Sequence, residues 1–280
     1  MKNRCCARIL SCLLTAVLLT LFLSLPVRAS DDLTIHFFNV GKGDCILIKQ
    51  AEYNVMLDTG YEKTIDAVLE ELQNSFGVGK FDCLILSHYD KDHVGGAGKL
   101  LTAIPVGEVY ETDYDKKKSK HIDRYRKTLG ELSKIPVVVR ETTSFELGEL
   151  KFTIYPPKPY EGMVSNDSSL ILLLEFRGKR FLFLGDALDK RMETYLSEQF
   201  TGEVDFMKLP HHGFYLTKSE PFKNLYYACK PKYGVITDAL KYDINNAPSL
   251  MFMLDDAPLY RLRNGAITVT CDGEKIEIRQ

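Results

Sequence analysis

Short runs of β-branched and aliphatic residues alternate with amphipathic segments along this chain, a pattern that predicts a mixed α/β fold. An amphipathic helix is predicted after Thr64, with apolar residues at helical spacing and Gly77 as its stop. Further helices are predicted after Gly96, over the basic segment near residue 122, over residues 192–200, from residue 219 and over 248–255. Strands are predicted at 33–40, 45–50, 53–58 and 81–86, between residue 106 and the basic helix, and at 136–139. A hairpin through Gly148 is predicted at 145–155, and further strands at 168–176, 180–184, 204–209, 233–237, 259–263, 266–271 and 275–279.

Groups of strands followed by helices occur twice in this order, which predicts two mixed sheets packed face to face with helices outside. The chain has 280 residues and 45% hydrophobic content, enough to bury one substantial core. No internal repeat or low-complexity linker interrupts residues 30–280, so we expect a single folded domain there.

The first 29 residues have the features of a secretory signal. Three basic residues precede an almost wholly apolar run over residues 9–25, and Val27-Arg28-Ala29 forms a small-residue cleavage site before Ser30. A retained membrane anchor is the alternative, because the run approaches the roughly 18–20 residues that span a bilayer. Either interpretation predicts a folded part outside the membrane; after cleavage we expect a secreted protein with no stable membrane embedding.

The charge balance bears on the partner. Cleavage would remove four of the 36 basic residues and no acidic one, which leaves 32 basic against 38 acidic side chains. Proteins that grip long nucleic acids usually carry a basic stripe, so nucleic acid is not the favoured partner. The dense positive run at 116–127 is interpreted as the solvated face of a helix, with a polyanion-binding edge as the alternative.

Candidate chemistry is concentrated where predicted strands end. The loop Ser87–Gly96 follows the strand at 81–86 and supplies His88, Asp90, Asp92 and His93, a mixed nitrogen and oxygen set that suits a divalent transition metal. The alternative is an exposed polar loop. A second histidine cluster, His211-His212, follows the strand at 204–209. Asp186 follows the strand at 180–184, where it could bridge two cations or cap the next helix.

Six motifs resemble, in order, those of the metallo-β-lactamase-fold hydrolases, in particular the branch typified by the extracellular nuclease-like domain of the competence protein ComEC and by phosphorylcholine esterases. The resemblance implies an αββα four-layer sandwich. The motifs are Asn39-Val40-Gly41-Lys42-Gly43-Asp44, Leu57-Asp58-Thr59-Gly60, Ser87 to Gly96, Asn166-Asp167-Ser168-Ser169-Leu170, Leu184-Gly185-Asp186 and His211-His212-Gly213.

The resemblance also implies a site with two divalent ions, Zn²⁺ ahead of Mn²⁺ or Fe²⁺. The first ion would take His88 and Asp90, the second would take Asp92, His93 and one of His211 or His212, and Asp186 would bridge them. Most relatives have histidine in place of Asp90 and of the Asn166 segment, which here makes the first site poorer in nitrogen. The supporting or substrate-facing residues would be Asp58, Asn166, Ser169 and Phe214. For Asp58 turn capping is the alternative role, and for Phe214 it is ordinary packing.

The function implied is hydrolysis by a metal-bound hydroxide. Asp92 would orient this nucleophile, and His212, as the second histidine of its pair, would contact the substrate or protonate the leaving oxygen. We expect a secreted phosphodiesterase that acts on a small-molecule or polymer phosphoester, in nucleic acid or in the cell envelope. The alternatives are hydrolysis of lactone, thioester or β-lactam bonds, and a degenerate binding module without catalysis.

Overall fold

Two β-sheets lie face to face in the computed structural model, which describes residues 31–114, 118–214, 216, 219–239 and 257–280. Residues 32–280 form one structural unit. The strands are β1 (Leu33–Phe37), β2 (Cys45–Gln50), β3 (Tyr53–Thr59), β4 (Phe81–Leu86), β5 (Val106–Thr112), β6 (Val137–Val139), β7 (Thr143–Leu147), β8 (Leu150–Tyr155), β9 (Ile171–Phe176), β10 (Lys179–Phe183), β11 (Phe206–Lys208), β12 (Tyr233–Ile236), β13 (Leu259–Arg261), β14 (Ile267–Cys271) and β15 (Ile276–Arg279). The helices are α1 (Ile65–Asn74), α2 (Ala97–Ala103), α3 (Lys120–Glu131), α4 (Asp189–Thr194) and α5 (Glu220–Cys229).

Each sheet is antiparallel in one part and parallel in the other. The eight-stranded sheet has the order β15-β14-β1-β2-β3-β4-β5-β6, and the seven-stranded sheet has the order β13-β12-β11-β10-β9-β8-β7. Strands β3 to β6 run parallel in the first sheet, as do β10 to β13 in the second. The carboxyl ends of parallel strands meet at one edge of a sheet, where α/β folds commonly bind ligands.

The alternation of side chains along the strands divides the core into three layers. In β2, Ile46 and Ile48 face the space between the sheets, while Leu47 packs beneath the helices on the outer face. Helices α1, α2 and α3 cover the first sheet, and α4 and α5 cover the second. The predicted αββα sandwich is therefore confirmed.

The last strands do not stay together. The strands predicted at 259–263 and 266–271 join different sheets: β13 pairs with β12 in the second sheet, whereas β14 returns to pair with β1 in the first. The helix predicted over residues 192–200 begins earlier, at Asp189, and widens into a π-helical turn over Tyr195–Gln199. The predicted helix at 248–255 and the predicted signal segment lie outside the described residues. Within the described part, no helix has the length and apolar character needed to cross a bilayer.

Candidate metal centre

The candidate site lies where loops from both sheets meet at the carboxyl ends of parallel strands. The loop after β4 carries four of its side chains, and single residues come from the end of β3 and from the segments after β10, β11 and β12. These residues are Asp58, His88, Asp90, Asp92, His93, Asp186, His212 and Thr237. Side chains separated by more than a hundred positions in the chain are thereby brought into contact.

Asp186 stands between two histidines. Its Oδ1 lies 3.3 Å from Nε2 of His93, and its Oδ2 lies 3.1 Å from Nε2 of His212. The two Nε2 atoms are themselves 3.4 Å apart. All three side chains are buried. A carboxylate with each oxygen against a different imidazole has the arrangement needed to bridge two cations.

The remaining predicted ligands from the β4 loop surround this trio. Nε2 of His88 lies 3.8 Å from Asp186 Oδ2 and 3.9 Å from Asp90 Oδ1. Asp92 Oδ2 lies 3.6 Å from Nε2 of His212 on the opposite side. The structure therefore brings His88, Asp90, Asp92, His93, Asp186 and His212 together.

The hydrogen-bond network leaves the Nε2 lone pair of each histidine directed at the cluster. Nδ1 of His93 donates to Asp58 Oδ2 over 2.8 Å. Ser87 Oγ donates to Asp58 and can therefore accept from Nδ1 of His88, 3.1 Å away. The hydroxyl of Thr237 accepts from Nδ1 of His212 in the same manner, over 2.9 Å. Such Nδ1 partners fix the tautomer in which a metal binds Nε2.

These atoms fit a dinuclear centre for divalent ions. Among the described residues, His88 Nε2 and Asp186 Oδ1 are buried atoms without a hydrogen-bond partner, and buried polar atoms normally have one. Two groups of potential ligand atoms, each within 4.8 Å of one another, share His93: one includes Asp44 and His212, the other His88 and Asp186. Imidazole nitrogen and carboxylate oxygen are suitable donors for Zn²⁺, Mn²⁺ and Fe²⁺.

Opposite charges within the cluster shift its titrations. Burial alone would raise the pKa of Asp186, but His212 and His93 hold it well below its usual value. The pKa of Asp92 is about 2, because His93 and His212 outweigh its burial. Burial would lower the pKa of His93, yet Asp186 and Asp58 raise it well above the ordinary value. Burial and the nearby His93 lower the pKa of His88 to about 4. A bound cation would compete with protons for these nitrogen atoms.

The histidine pair after β11 adopts an unusual backbone. His211 and His212 have φ values of 47° and 53°, in the left-handed region that residues other than glycine rarely occupy. Each such residue costs roughly 1–2 kcal/mol. The turn directs His212 into the cluster, while His211 is half-buried at its edge, with its ring 5.8 Å from that of Phe214. His212, rather than His211, is thus the member of the pair in contact with Asp186.

Two further residues support the site, Asp44 and Lys208, and Lys208 was not identified from the sequence. Asp44 lies under the site, where it accepts a hydrogen bond from Thr237 Oγ1 (2.6 Å) and forms an ion pair with the fully buried Lys208. Lys208 Nζ also donates to the carbonyl of Gly185 over 3.0 Å. Burial would raise the pKa of Asp44, but the charge of Lys208 and of the two nearby histidines lowers it. The sequence did contain a signal for this ion pair. Lys208 lies inside a strand predicted to be buried, and a buried charge needs a partner.

The segment at 165–169 supports the centre mainly through its serines. Ser169 Oγ accepts a hydrogen bond from the backbone N–H of Asp186 over 3.1 Å, and Ser165 Oγ donates to Asp90 Oδ1 over 2.5 Å. Asn166 begins a short 3-10 turn, and its carbonyl accepts from the N–H of Ser169. This segment therefore positions two acidic residues of the cluster.

A cleft of about 630 Å³ opens beside the cluster. Apolar side chains form much of its wall, and polar groups occur at intervals. The lining residues are Asp167, Ala187, Leu188, Asp189, Lys190, Met192, His211, Phe214, Leu216 and Ser219. Phe214 is half-buried at this cleft.

The two-sheet sandwich and the histidine and aspartate cluster define a metal-dependent hydrolase fold. The model of the metallo-β-lactamase superfamily matches residues 38–223, and the chain belongs to this superfamily. The family resemblance inferred from the motifs is thus confirmed.

Similar curated proteins are found among competence proteins. The chain is 25% identical over 208 residues to competence protein ComA of Neisseria gonorrhoeae, which covers 73% of this chain and 27% of that protein. It is 24% identical over 233 residues to ComE operon protein 3 of Bacillus subtilis, with 74% and 28% covered. The chain therefore spans about a quarter of the length of these relatives.

Solved structures show the same fold at low identity. The metallo-β-lactamase fold protein YhfI from Bacillus subtilis matches with a TM-score of 0.57 at 11% identity, over 89% of this chain and 100% of that one. CmlA, a diiron β-hydroxylase from Streptomyces venezuelae, matches with a TM-score of 0.55 at 16% identity, over 87% and 54%. At these identities the likeness concerns the fold alone.

Proposed function

We propose that this protein is a secreted phosphodiesterase with two divalent metal ions, and that Zn²⁺ is preferred over Mn²⁺ and Fe²⁺. The observation that carries the proposal is the position of Asp186, with its two oxygens 3.3 Å and 3.1 Å from Nε2 of His93 and of His212. One metal position would use His88 and Asp90, the other would use Asp92, His93 and His212, and Asp186 would be shared.

Bound divalent ions at such a centre lower the pKa of a coordinated water and stabilise negative charge that develops on a phosphoryl group. The protein's own residues prepare the site for this chemistry. Asp58 holds a proton on Nδ1 of His93, and Thr237 does the same for His212. Asp92 Oδ2 lies 3.6 Å from His212 Nε2, at the edge of the cluster where it can orient a nucleophile by accepting its hydrogen bond.

The cleft beside the cluster supports an organic group on the substrate. His211 and Phe214 lie where the cleft approaches the metal centre. Burial lowers the pKa of His211, which favours its neutral form near pH 7. An imidazole at this place can donate a hydrogen bond to a leaving oxygen. We assign this contact to His211, because His212 is directed towards Asp186 instead.

The test is hydrolysis of bis-p-nitrophenyl phosphate by the full chain loaded with Zn²⁺ or Mn²⁺. We expect metal-dependent turnover, loss of at least about 100-fold in Asp92→Ala and His93→Ala, and near wild-type rates in Asp66→Ala. Asp66 is a suitable control because its exposed carboxylate pairs with Lys99 on the surface. Metal analysis should give about two ions per chain.

Other substrates decide between the alternatives. Turnover of nitrocefin or of a lactone without turnover of the phosphodiester would overturn the proposal in favour of amide or ester hydrolysis. A chain that binds no metal would indicate a binding module. Degradation of single-stranded DNA on a gel would identify a nuclease, an outcome that the name competence protein among the relatives makes worth testing.

Secretion has its own test. Expression of the full chain in a bacterial host should release a mature protein whose amino-terminal sequence begins at Ser30. Recovery of the uncleaved chain in the membrane fraction would instead favour the retained anchor.

A further inference from the structure

Lys42 lies in a glycine-flanked loop that is fixed against the metal-binding loop. The N–H of Asp44 donates to the carbonyl of Asp92 over 3.1 Å. A Cβ atom added at Gly43 would lie 2.7 Å from the same carbonyl oxygen, so the two backbones are in direct contact. The loop between β1 and β2 therefore carries Lys42 to the rim of the candidate metal centre in a defined position.

The ammonium group of Lys42 faces both the centre and the cleft. Its Nζ donates to Asp92 Oδ2 over 2.9 Å and lies 5.7 Å from the centre of the Phe214 ring. Phe214 lines the cleft, and the Lys42 side chain is 20% exposed. Lys208, in contrast, is fully buried and held by Asp44 and the carbonyl of Gly185. The two lysines of the site therefore differ in access, and Lys42 is the one that solvent can reach.

Lys42 carries a positive charge near pH 7, as lysine side chains ordinarily do. Its Nζ lies 2.9 Å from Oδ2 of Asp92. An ammonium group has three hydrogens to donate, and Asp92 is one acceptor for them. A partly buried charge of this kind attracts an anion more strongly than the same charge in bulk water.

We propose that Lys42 is an anion-binding residue that contacts a non-bridging oxygen of a phosphoester at the edge of the metal centre. The proposal rests on the proposed function and narrows it, because it specifies an anionic substrate over a neutral ester. Asp92 is also a candidate metal ligand, and a cation bound there would weaken its hold on Lys42. The ammonium group would then be able to turn to a substrate oxygen.

The experiment compares Lys42→Met with Lys42→Arg in the full chain loaded with Zn²⁺. Lys230→Met is the control. Lys230 forms an ion pair with Glu203, which precedes β11 and therefore lies near the end of that strand that points away from the site. Three quantities are measured: zinc per chain, the Kd of inorganic phosphate by calorimetry, and KM and kcat for bis-p-nitrophenyl phosphate.

We expect Lys42→Met to retain its zinc, to bind phosphate about 10-fold more weakly and to raise KM by a similar factor, as for one charge-assisted hydrogen bond. Lys42→Arg should recover most of the phosphate affinity, and Lys230→Met should match the wild type. If the wild type also hydrolyses the neutral ester p-nitrophenyl acetate, the rate of that reaction should change less than about 3-fold in Lys42→Met.

Phosphate binding that is unchanged in Lys42→Met would overturn the proposal. Loss of zinc in this variant would do the same, because it would make Lys42 a structural partner of Asp92. A wild-type protein that binds phosphate through Lys42 but hydrolyses no phosphodiester would contradict the proposed function and leave the anion site standing.

Discussion

The carboxylate of Asp58 holds the imidazole of His93 in place, with Oδ2 2.8 Å from Nδ1. The same carboxylate accepts hydrogen bonds from the N–H and the hydroxyl of Ser87, at 2.8 Å and 2.6 Å. Because Ser87 Oγ also lies 3.1 Å from His88 Nδ1, one buried aspartate orients two potential ligands. Asp58 itself has a φ of 56°, a strained backbone of the kind that is common at functional sites.

Replacing Asp58 with Asn should weaken metal binding. The neutral amide oxygen accepts the hydrogen bond from Nδ1–H of His93 more weakly than a carboxylate does, so the tautomer and orientation of His93 are held less firmly. We expect about a 10–100-fold loss of zinc affinity, measured by competition with a chromophoric chelator. Asp82→Asn is the matched control, because Asp82 accepts a backbone N–H at the opposite end of β3 (2.8 Å) and lies apart from the cluster. Equal zinc affinity in wild type and Asp58→Asn would contradict this role.

Thr237→Val should affect the centre through His212. The threonine hydroxyl accepts from His212 Nδ1 and donates to Asp44 Oδ1, and valine preserves its shape but not these bonds. We expect about a 10-fold fall in zinc affinity or turnover, with a loss of about 1–3 kcal/mol in the free energy of unfolding. Chemical denaturation and the chelator competition measure the two effects.

The chain contains a matched control for this substitution. Thr268, on strand β14, forms an equivalent hydrogen bond: its Oγ1 lies 2.9 Å from Nδ1 of His36. Thr268→Val should lower stability without changing zinc affinity. If both variants lower zinc affinity equally, the effect of Thr237 is general destabilisation and the positioning role is wrong.

Gly43→Ala should disturb the metal loop from outside the ligand set. The new methyl group would lie 2.7 Å from the Asp92 carbonyl oxygen, closer than real Cβ contacts allow, so one of the two backbones must move. We expect a loss of about 1–3 kcal/mol in stability together with weaker zinc binding. Gly130→Ala is the control, since nothing lies within 4 Å of the added atom, and alanine in a helix should if anything stabilise. A Gly43→Ala protein as stable as the wild type would show that the loops separate freely.

Local patterns were sufficient to predict much of the fold and most of the cluster. Strand β2 has the predicted bounds, and His88, Asp186 and His212 follow strands in the way that the apolar runs indicated. The reason is geometric: the sequence shows which polar residues follow buried strands, and parallel strands bring their carboxyl ends to one edge.

Contacts between distant segments could not be predicted in this way. The bond between Thr237 and Asp44 joins residues 193 positions apart, and no local pattern specifies it. Whether His211 or His212 enters the cluster depends on left-handed backbone angles, and two adjacent histidines in a sequence do not predict such angles. Strand β13 joins the second sheet through pairing with β12, a choice that depends on the whole arrangement of the sheets.

Stability should depend on pH through His36, which lies outside the metal centre. The ring of His36 is 5% exposed and packs against Phe38 and Phe76, with ring centres 4.7 Å apart in both cases. Burial lowers its pKa from 6.5 to about 4. Glu71 Oε1 is 3.3 Å from His36 Nε2, but this glutamate is 42% exposed, so solvent screens its charge and burial dominates.

The direction of the pH effect follows from where the proton binds. Between pH 6.5 and about pH 4 the unfolded chain protonates this histidine while the folded protein does not. Stability should therefore be complete above pH 6.5 and fall as the pH decreases through this window, by up to about 3 kcal/mol. His36→Phe keeps the ring packing and removes the titration. Urea unfolding at pH 7 and pH 4.5 should show a larger loss of stability for the wild type than for His36→Phe. The two proteins share every other titrating group, so equal losses would mean that His36 is protonated in the folded protein.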